Sequence, residues 1–527
     1  MSEPVIVVGA GPVGLAAALL LARWRVPTVV LEAGGMRDPS GSKAICFQRD
    51  VLDVFHRIGC GAELVAEGVT WTTGRTYHRD RELFTVTFPD AGRSELPPWI
   101  NISQAVVEAH LLRLAKAEPL IDLRYGHPVI GIQQDADGIE ADVATSTARL
   151  TFRGSHLIGA DGSRSTVRQL LGVGFPGGVF DDRFLICDIR ADLPFPDERR
   201  FFFDPEWNPG RQVLIHACPD RTWRIDWQVP PDFDLEAERA SGRLDARIRK
   251  IIGAVDHEVV WLSVYRFSEK VADAFSVGRA FLAGDAAHLY APFGARGLNS
   301  GIQDAENLAW KLAWARRGET DGTLLESYAI ERRAAARENK RVTEATMEFL
   351  VPRTEEQRRR RAAALERAAA DPEAAREIDS GKLAEPYWYL ESPLTTPGPA
   401  GDFPTAPGVV RPPVGGVICP DGPCLLDGER VRLRSLFGAG FVALLADPDR
   451  VADARAALPS DVAVYALPDL DVDGVLRPAL RAGADTVHLV RPDGHLAAVL
   501  DAFDAQKLLS ALHRAEGRPV DRPLRSK

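Results

Sequence analysis

The chain opens on a short β-branched run, Val5 to Val8, that leads into Gly9-Ala10-Gly11-Pro12-Val13-Gly14 and then into an Ala/Leu-rich stretch to Trp24. This restricts the fold more than any other feature. The run reads as a buried strand, the stretch from Pro12 as a helix packed on it, and Thr28 to Leu31 as a second strand. Strand, glycine turn, helix and strand make a βαβ unit with a right-handed crossover. Each glycine has a physical job. Gly9 permits the tight turn, Gly11 lets a pyrophosphate approach the backbone, and Gly14 lets helix lie on strand. The N-terminus starting at Pro12 favours phosphate charge. Glu32, ending the second strand, would accept from ribose hydroxyls. The glycines alone would also suit a merely tight turn; strand, helix and acid together point to dinucleotide binding.

That unit takes the ADP half of FAD and NAD alike. A second segment distinguishes them. Gly284-Asp285-Ala286-Ala287-His288 places an acid directly after an apolar strand, Arg279 to Ala283, and Pro292, Gly294, Gly297 and Asn299 follow before a helix, Gly301 to Arg316. A carboxylate at a strand end followed by a Gly-rich helix start suits a ribityl hydroxyl and an electron-rich ring held by backbone N–H groups. This is the anatomy of a flavin site.

At 527 residues the chain exceeds one compact core, so two or three domains are expected. The first lobe, residues 1–180, resumes at 268–350 and is therefore discontinuous. It is expected to hold a helix from Asn101 to Ala117 and two or three strands between Val129 and Leu157. Residues 181–267 carry alternating, aromatic-rich runs such as Arg221 to Val229, the period of a half-exposed sheet. Residues 351–405 read as a helical segment, exposed from Thr354 to Glu377, and a linker whose Pro/Gly-rich stretch runs from Pro393 to Gly416. Residues 406–527 read as a third α/β domain with strands Phe441 to Leu445, Val462 to Ala466 and Thr486 to Val490. The expected class is α/β, a discontinuous Rossmann-like domain with a β-rich substrate domain.

A net charge of −10 argues against nucleic acid and anionic membrane as partners. Glycines, Pro12, Arg23 and Arg25 interrupt the apolar N-terminus, which lacks a basic leader, so neither a signal peptide nor a membrane span is expected and the cytoplasm is the default. Six scattered cysteines read as thiols. No metal is expected.

These segments resemble the class A flavoprotein monooxygenases, the para-hydroxybenzoate hydroxylase group, and within it the 3-(3-hydroxyphenyl)propionate hydroxylase-like and phenol hydroxylase-like members. The N-terminal glycines match. So do Asp161-Gly162 with Arg168 in GADGSRSTVR, the stretch GDAAHLYAPFGARGLNSGIQDAENLAWKLA, and YAIERR, Tyr328 to Arg333. The resemblance implies FAD contacts from Asp285, from Pro292 and the backbone of Gly297, Leu298 and Asn299, from Gln104 and from Asp161, for which an Asx turn organising the loop is an equal reading. Two positions depart from the family pattern. Arg296 stands where relatives commonly have Gln, placing a cation beside the ring that could stabilise reduced flavin, meet a substrate carboxylate or face solvent. Lys43 stands where they commonly have Arg. The resemblance further implies that NADH or NADPH reduces FAD without a separate coenzyme domain, that O2 adds at the flavin C4a position to give a hydroperoxide, and that one oxygen reaches a phenolic ring.

Substrate handling then falls to the β-rich domain, where His216, Trp223, Asp226, Gln228 and Tyr265 are candidates. His216, Asp226 and Tyr265, with Arg296, are the expected catalytic set. Asp226 and Gln228 share one strand face, Trp223 and Ile225 the other. The C-terminal domain is similar to the thioredoxin-like tail of phenol-hydroxylase-type relatives but lacks a C-x-x-C pair, so packing or homodimer formation is its expected role. The competing readings are a halogenase or reductase of the same fold, and a non-catalytic FAD-binding protein.

Overall fold

The computed structural model describes residues 3–35, 44–88, 94–318, 320–375, 378, 380–398 and 411–518. Lys43 lies outside them. Val5–Val8 is buried on both faces and pairs in parallel with Thr28–Glu32 on one side and His156–Gly159 on the other. Ile121–Tyr125 and Ala280–Leu282 extend this sheet, and Ser276–Val277 closes one edge antiparallel. The continuous apolar run of Val5–Val8 is what a strand covered on both faces requires.

The helix Pro12–Arg23 starts with Pro at its first position and is buried from Val13 to Ala22. An all-round Ala/Leu surface suits it, because it packs against both Gln104–Ala117 and Gly297–Ala315. Burial of each Leu contributes about 1.5–3 kcal/mol. The helix expected from Asn101 begins three residues later, since Trp99–Asn101 pairs as a strand and Ser103 caps the helix by accepting from Ala105 N. Three antiparallel strands fill residues 129–154, and the Asp135 side chain organises their first turn by accepting from the N–H groups of Asp137 and Gly138.

The β-rich sheet has eight strands and reaches beyond residues 181–267 on both sides. Its order is His288–Leu289, Glu258–Val271, Gly177–Arg190, Thr222–Val229, Gln212–Cys218, Arg199–Phe203, Thr73–His78, Arg81–Thr87. The hairpin at 73–87 joins through a parallel pair, Arg199–Phe203 with Thr73–His78. One sheet face is apolar: Leu185, Ile189, Ile215, Ile225 and Trp227 pack with Leu244 and Ile248 of the helix Arg243–Ile252. The other face carries Leu214, His216, Arg224, Asp226, Tyr265 and Phe267 and looks onto a cavity.

The expected exposed helix is Glu355–Ala370, begun by a capping box between Thr354 and Gln357. Arg358, Arg359 and Arg360 face outward. Exposure is only partial, because Arg361 is buried against Asp204 at 2.9 Å and Leu365 joins an aromatic cluster with Phe201 and Phe203. The stretch read as a linker is packed at both described ends: Thr396 N donates to Ala497 O, and Tyr389 N to Gly416 O.

Residues 411–518 hold a four-stranded sheet in the order Ala463–Ala466, Val442–Leu445, Val487–Val490, Leu496–Leu500, the first pair parallel and the others antiparallel. Phe441 sits edge-on to Trp310 and Trp314, at 5.9 and 5.2 Å between ring centres. Among the described residues no helix is long and apolar enough to cross a membrane.

Candidate active site

Backbone geometry at the glycine turn fits each glycine's expected part. Gly9 has φ +105°, and a Cβ there would lie 2.4 Å from Ala160 O. A Cβ on Gly14 would lie 2.0 Å from Gly9 O, so helix and strand could not keep their approach. Gly11 faces open space and, with Gly9, Pro12 and Val13, lines a cavity of about 820 Å³. Glu32 lines it too. Its carboxylate accepts from Ala10 N at 2.9 Å and Gly34 N at 2.8 Å, and each oxygen keeps a lone pair for a hydroxyl donor.

Opposite this turn, the strand Ala280–Leu282 ends in a short 3₁₀ turn, Gly284–Ala286, which exposes Asp285 to the same cavity. A wholly buried acid behind the turn fixes its shape. Asp304 accepts from Gly284 N at 2.9 Å, contacts His288 Nε2 at 2.7 Å and pairs with Arg332 Nε at 2.6 Å. Although burial alone would raise it, Arg332 and His288 hold the Asp304 carboxyl below the usual carboxylate range. Arg332 also donates to Ser300 O and to the Tyr389 hydroxyl, while the Tyr328 hydroxyl donates to Leu282 O. The Tyr328 to Arg333 motif is thus the brace of the Asp285 turn.

Pro292, Ala295, Arg296, Gly297, Leu298 and Asn299 line the next wall. Arg296 does not face solvent: it is buried and donates to Phe293 O at 3.1 Å and Lys382 O at 2.6 Å. Asn299 ties the start of the long helix to the strand Cys46–Gln48, donating to Cys46 O and accepting from Gln48 N. Gln104, at the first turn of its own helix, lines the cavity and donates to Glu108. Asp161 also lines it, yet both its oxygens are engaged by Ser165 Oγ and Val167 N, the loop-organising geometry of its Asx-turn reading.

The sheet face closes the far side. His216, Asp226 and Tyr265 all line this cavity, with Arg224, Trp261 and Phe267. Trp223 and Gln228 do not. Trp223 lies on the opposite face and donates to Ala191 O, and Gln228 is turned toward Asp182 and Gln212. Desolvation pushes the Asp226 carboxyl up to about 7, with Asp188 adding to the rise and Arg224 opposing it. Asp226 Oδ1 is buried and has no hydrogen-bond partner among the described residues. Burial, then Arg199 and Arg224, drive the His216 imidazole toward its neutral form. Burial raises the Tyr265 phenol well above its ordinary range.

Arg224, Asp188, Asp304 and Arg332 were not singled out from the sequence. Arg224 alternates with Asp226 along one strand, a visible signal; its bidentate partner Asp188, at 2.7 and 2.8 Å, belongs to a strand remote in sequence. A glycine turn, an acid at a strand end and a polar patch in an aromatic sheet face therefore border one continuous space. The open approach at Gly11 and Gly297, neither of whose Cβ positions meets another atom within 4 Å, is what a flat, phosphate-bearing cofactor needs.

Residues 2–343 match the family model described as FAD binding domain. The chain is similar to the 3-(3-hydroxy-phenyl)propionate/3-hydroxycinnamic acid hydroxylase of Mycobacterium sp. (strain JLS), 33% identical over 342 residues, 63% of this chain and 58% of that protein. It thus spans less than two thirds of that relative's length. Among solved structures it is similar to the flavin-dependent monooxygenase PieE in complex with FAD and substrate, with a TM-score of 0.83 at 25% identity over 98% of this chain and 100% of that one. It is also similar to p-nitrophenol 4-monooxygenase PnpA from Pseudomonas putida DLL-E4, with a TM-score of 0.63 at 26% identity over 72% of this chain and 96% of that one.

Proposed function

This chain belongs to the family built on the FAD binding domain, and from that premise we propose that it is a single-component flavin monooxygenase that hydroxylates a phenolic ring with NAD(P)H and O2. The observation that carries the reading is the single cavity joining the glycine turn to the polar patch of the sheet. Gly9, Gly11, Pro12, Gly14 and Glu32 would hold the adenosine and pyrophosphate half of FAD, and Asp285, Gln104, Pro292, Gly297, Leu298 and Asn299 the ribityl chain and ring. Bound there, the flavin supplies hydride acceptance and the activation of O2.

The protein's own residues bind, orient and move a proton. Asp226 is the base we assign to the substrate hydroxyl: it faces the cavity, one carboxylate oxygen lacks a partner among the described residues, and its affinity for protons lies near neutrality, where a general base is most effective. Tyr265 and neutral His216 would orient the ring by hydrogen bonding, with Trp261, Phe267 and Leu214 as apolar walls that exclude water. Arg296, held by Phe293 O and by the sequence-remote Lys382 O, would supply positive charge beside the reduced ring.

We assign residues 1–180 and 268–350 to the cofactor domain, 181–267 to the heart of the substrate domain and 406–527 to a thioredoxin-like unit. The central strand pairing of the last supports that architecture without redox chemistry, since Cys419 and Cys424 are buried and unpaired, their thiols pushed up to about 12 and 11. Six unpaired thiols suit a reducing cytoplasm.

The test is turnover under ¹⁸O2 with FAD, NADH or NADPH and a panel of phenols. Phenol-dependent coenzyme oxidation and a product carrying one ¹⁸O are expected. Coenzyme consumption that no phenol accelerates, or products without label, would overturn the reading.

A further inference from the structure

The charges around the substrate end of the cavity say which ring it takes. Three cavity-lining residues there can carry positive charge, His216, Arg224 and Arg296, while Arg199 acts on His216 from outside the lining. Arg224 commits Nε and Nη2 to the Asp188 carboxylate and stands over the Trp261 ring at 5.3 Å. Arg296 keeps its charge, but Phe293 O and the sequence-remote Lys382 O hold its guanidinium, and that charge is the one assigned above to the reduced ring. His216 is buried between Trp71 and the Cys46 thiol and is driven toward neutrality by desolvation and by two neighbouring arginines.

The acids are distributed differently. Glu32, Asp161 and Asp285 belong to the dinucleotide end. Asp226 alone of the described cavity-lining acids lies on the sheet, between Leu214 and Ile186 in register, with a buried oxygen that no donor among the described residues reaches. Once Asp226 is ionised, a carboxylate brought beside it would meet like charge in a poorly solvated space, whereas a hydroxyl would supply the missing donor.

We propose that the substrate is an uncharged phenol, bearing no carboxylate near the reacting ring, that donates a ring hydroxyl to Asp226. This rests on the monooxygenase reading of the same cavity and narrows it to one substrate class. Asp226 acts as a specificity determinant as well as a base: it accepts from a neutral donor and excludes phenolic acids by charge.

The experiment titrates FAD-loaded protein with matched pairs, 3-(3-hydroxyphenyl)propan-1-ol against 3-(3-hydroxyphenyl)propionate and resorcinol against 3-hydroxybenzoate. Binding is followed by the flavin absorption spectrum and turnover by coenzyme oxidation and ¹⁸O incorporation. The neutral member of each pair should bind about tenfold tighter or better, because only the acid brings a second negative charge into the poorly solvated space beside Asp226. Asp226→Asn should shrink or invert that preference, which a merely structural loss would not do. Leu214→Lys, placing a cation on the strand position paired with Asp226, should raise carboxylate affinity and serves if Asp226→Asn fails to fold. Carboxylates that bind as well as their neutral partners, or no spectral change with either class, would overturn the inference. Hydroxylation of both with acids preferred would sink it while leaving the monooxygenase reading intact. Selective binding of neutral phenols without oxygen transfer would sink that reading and leave the inference standing.

Discussion

Arg332 donates from Nε to Asp304 Oδ1 at 2.6 Å, with both side chains out of solvent, and the other oxygen of Asp304 holds Gly284 N at 2.9 Å. An ion pair with no direct place in the cavity lining thus sets the turn that presents Asp285. Removing one partner of a buried pair leaves an uncompensated charge and costs about 3–5 kcal/mol. Arg332→Met should therefore lower the melting temperature and release FAD on gel filtration. Retention of a full complement of flavin at unchanged melting temperature would refute the brace.

The glycines separate fold from ligand. Gly14→Ala drives a methyl group into Gly9 O and should destabilise even the flavin-free protein. Gly11→Ala points into open space, so flavin-free melting should change little while FAD affinity falls, by about tenfold or more. Equal thermal losses for both variants would contradict the assignment.

Asp226 makes a prediction with a sign. Its folded-state value of about 7 lies above the ordinary 3.8, so between these two pH values the folded protein keeps a proton that the unfolded chain has released. Stability from this group is therefore greatest at low pH and falls as pH rises toward 7, by on the order of 2–4 kcal/mol. Asp226→Asn should flatten that part of a melting-temperature profile between pH 5 and 8. In turnover, the wild type should gain activity through a limb near pH 7 as Asp226 ionises, and the variant should lose it. An unchanged limb would assign the base elsewhere.

The C-terminal unit is joined by charge as well as by Phe441. Arg491 donates to both oxygens of Glu331 at 2.6 and 3.0 Å, and Lys311 Nζ reaches the same carboxylate at 2.7 Å. Arg491→Met should cost about 3–5 kcal/mol and weaken FAD binding although the residue lies outside the cavity. Normal flavin retention in that variant would uncouple the two regions.

What the sequence disclosed follows how local each constraint is. Gly9 and Gly14 act through the backbone beside them, so the tight turn and the close packing of helix on strand were readable from their motif. The alternation of Arg224, Asp226 and Gln228 showed a polar sheet face, but only the neighbouring strands determined that Asp226 meets the cavity while Gln228 turns to Asp182. Arg332 was visible inside a motif whose purpose was not, because its partner Asp304 sits on another helix. The hairpin at 73–87 joins the sheet through Arg199–Phe203, a pairing that no local period encodes. Arg296 needed its two carbonyl partners to be seen before solvent exposure could be set aside.

Glu331 and Arg332 are consecutive on the helix Thr323–Leu350, one bound to Arg491 and the other to Asp304. Successive helical residues point about 100° apart, so a single inserted or deleted residue upstream in this helix would turn both side chains away from their partners at once. Exposed substitutions along it leave those contacts in place, while changes of length do not: the phase of one helix is shared between the Asp285 turn and the C-terminal sheet.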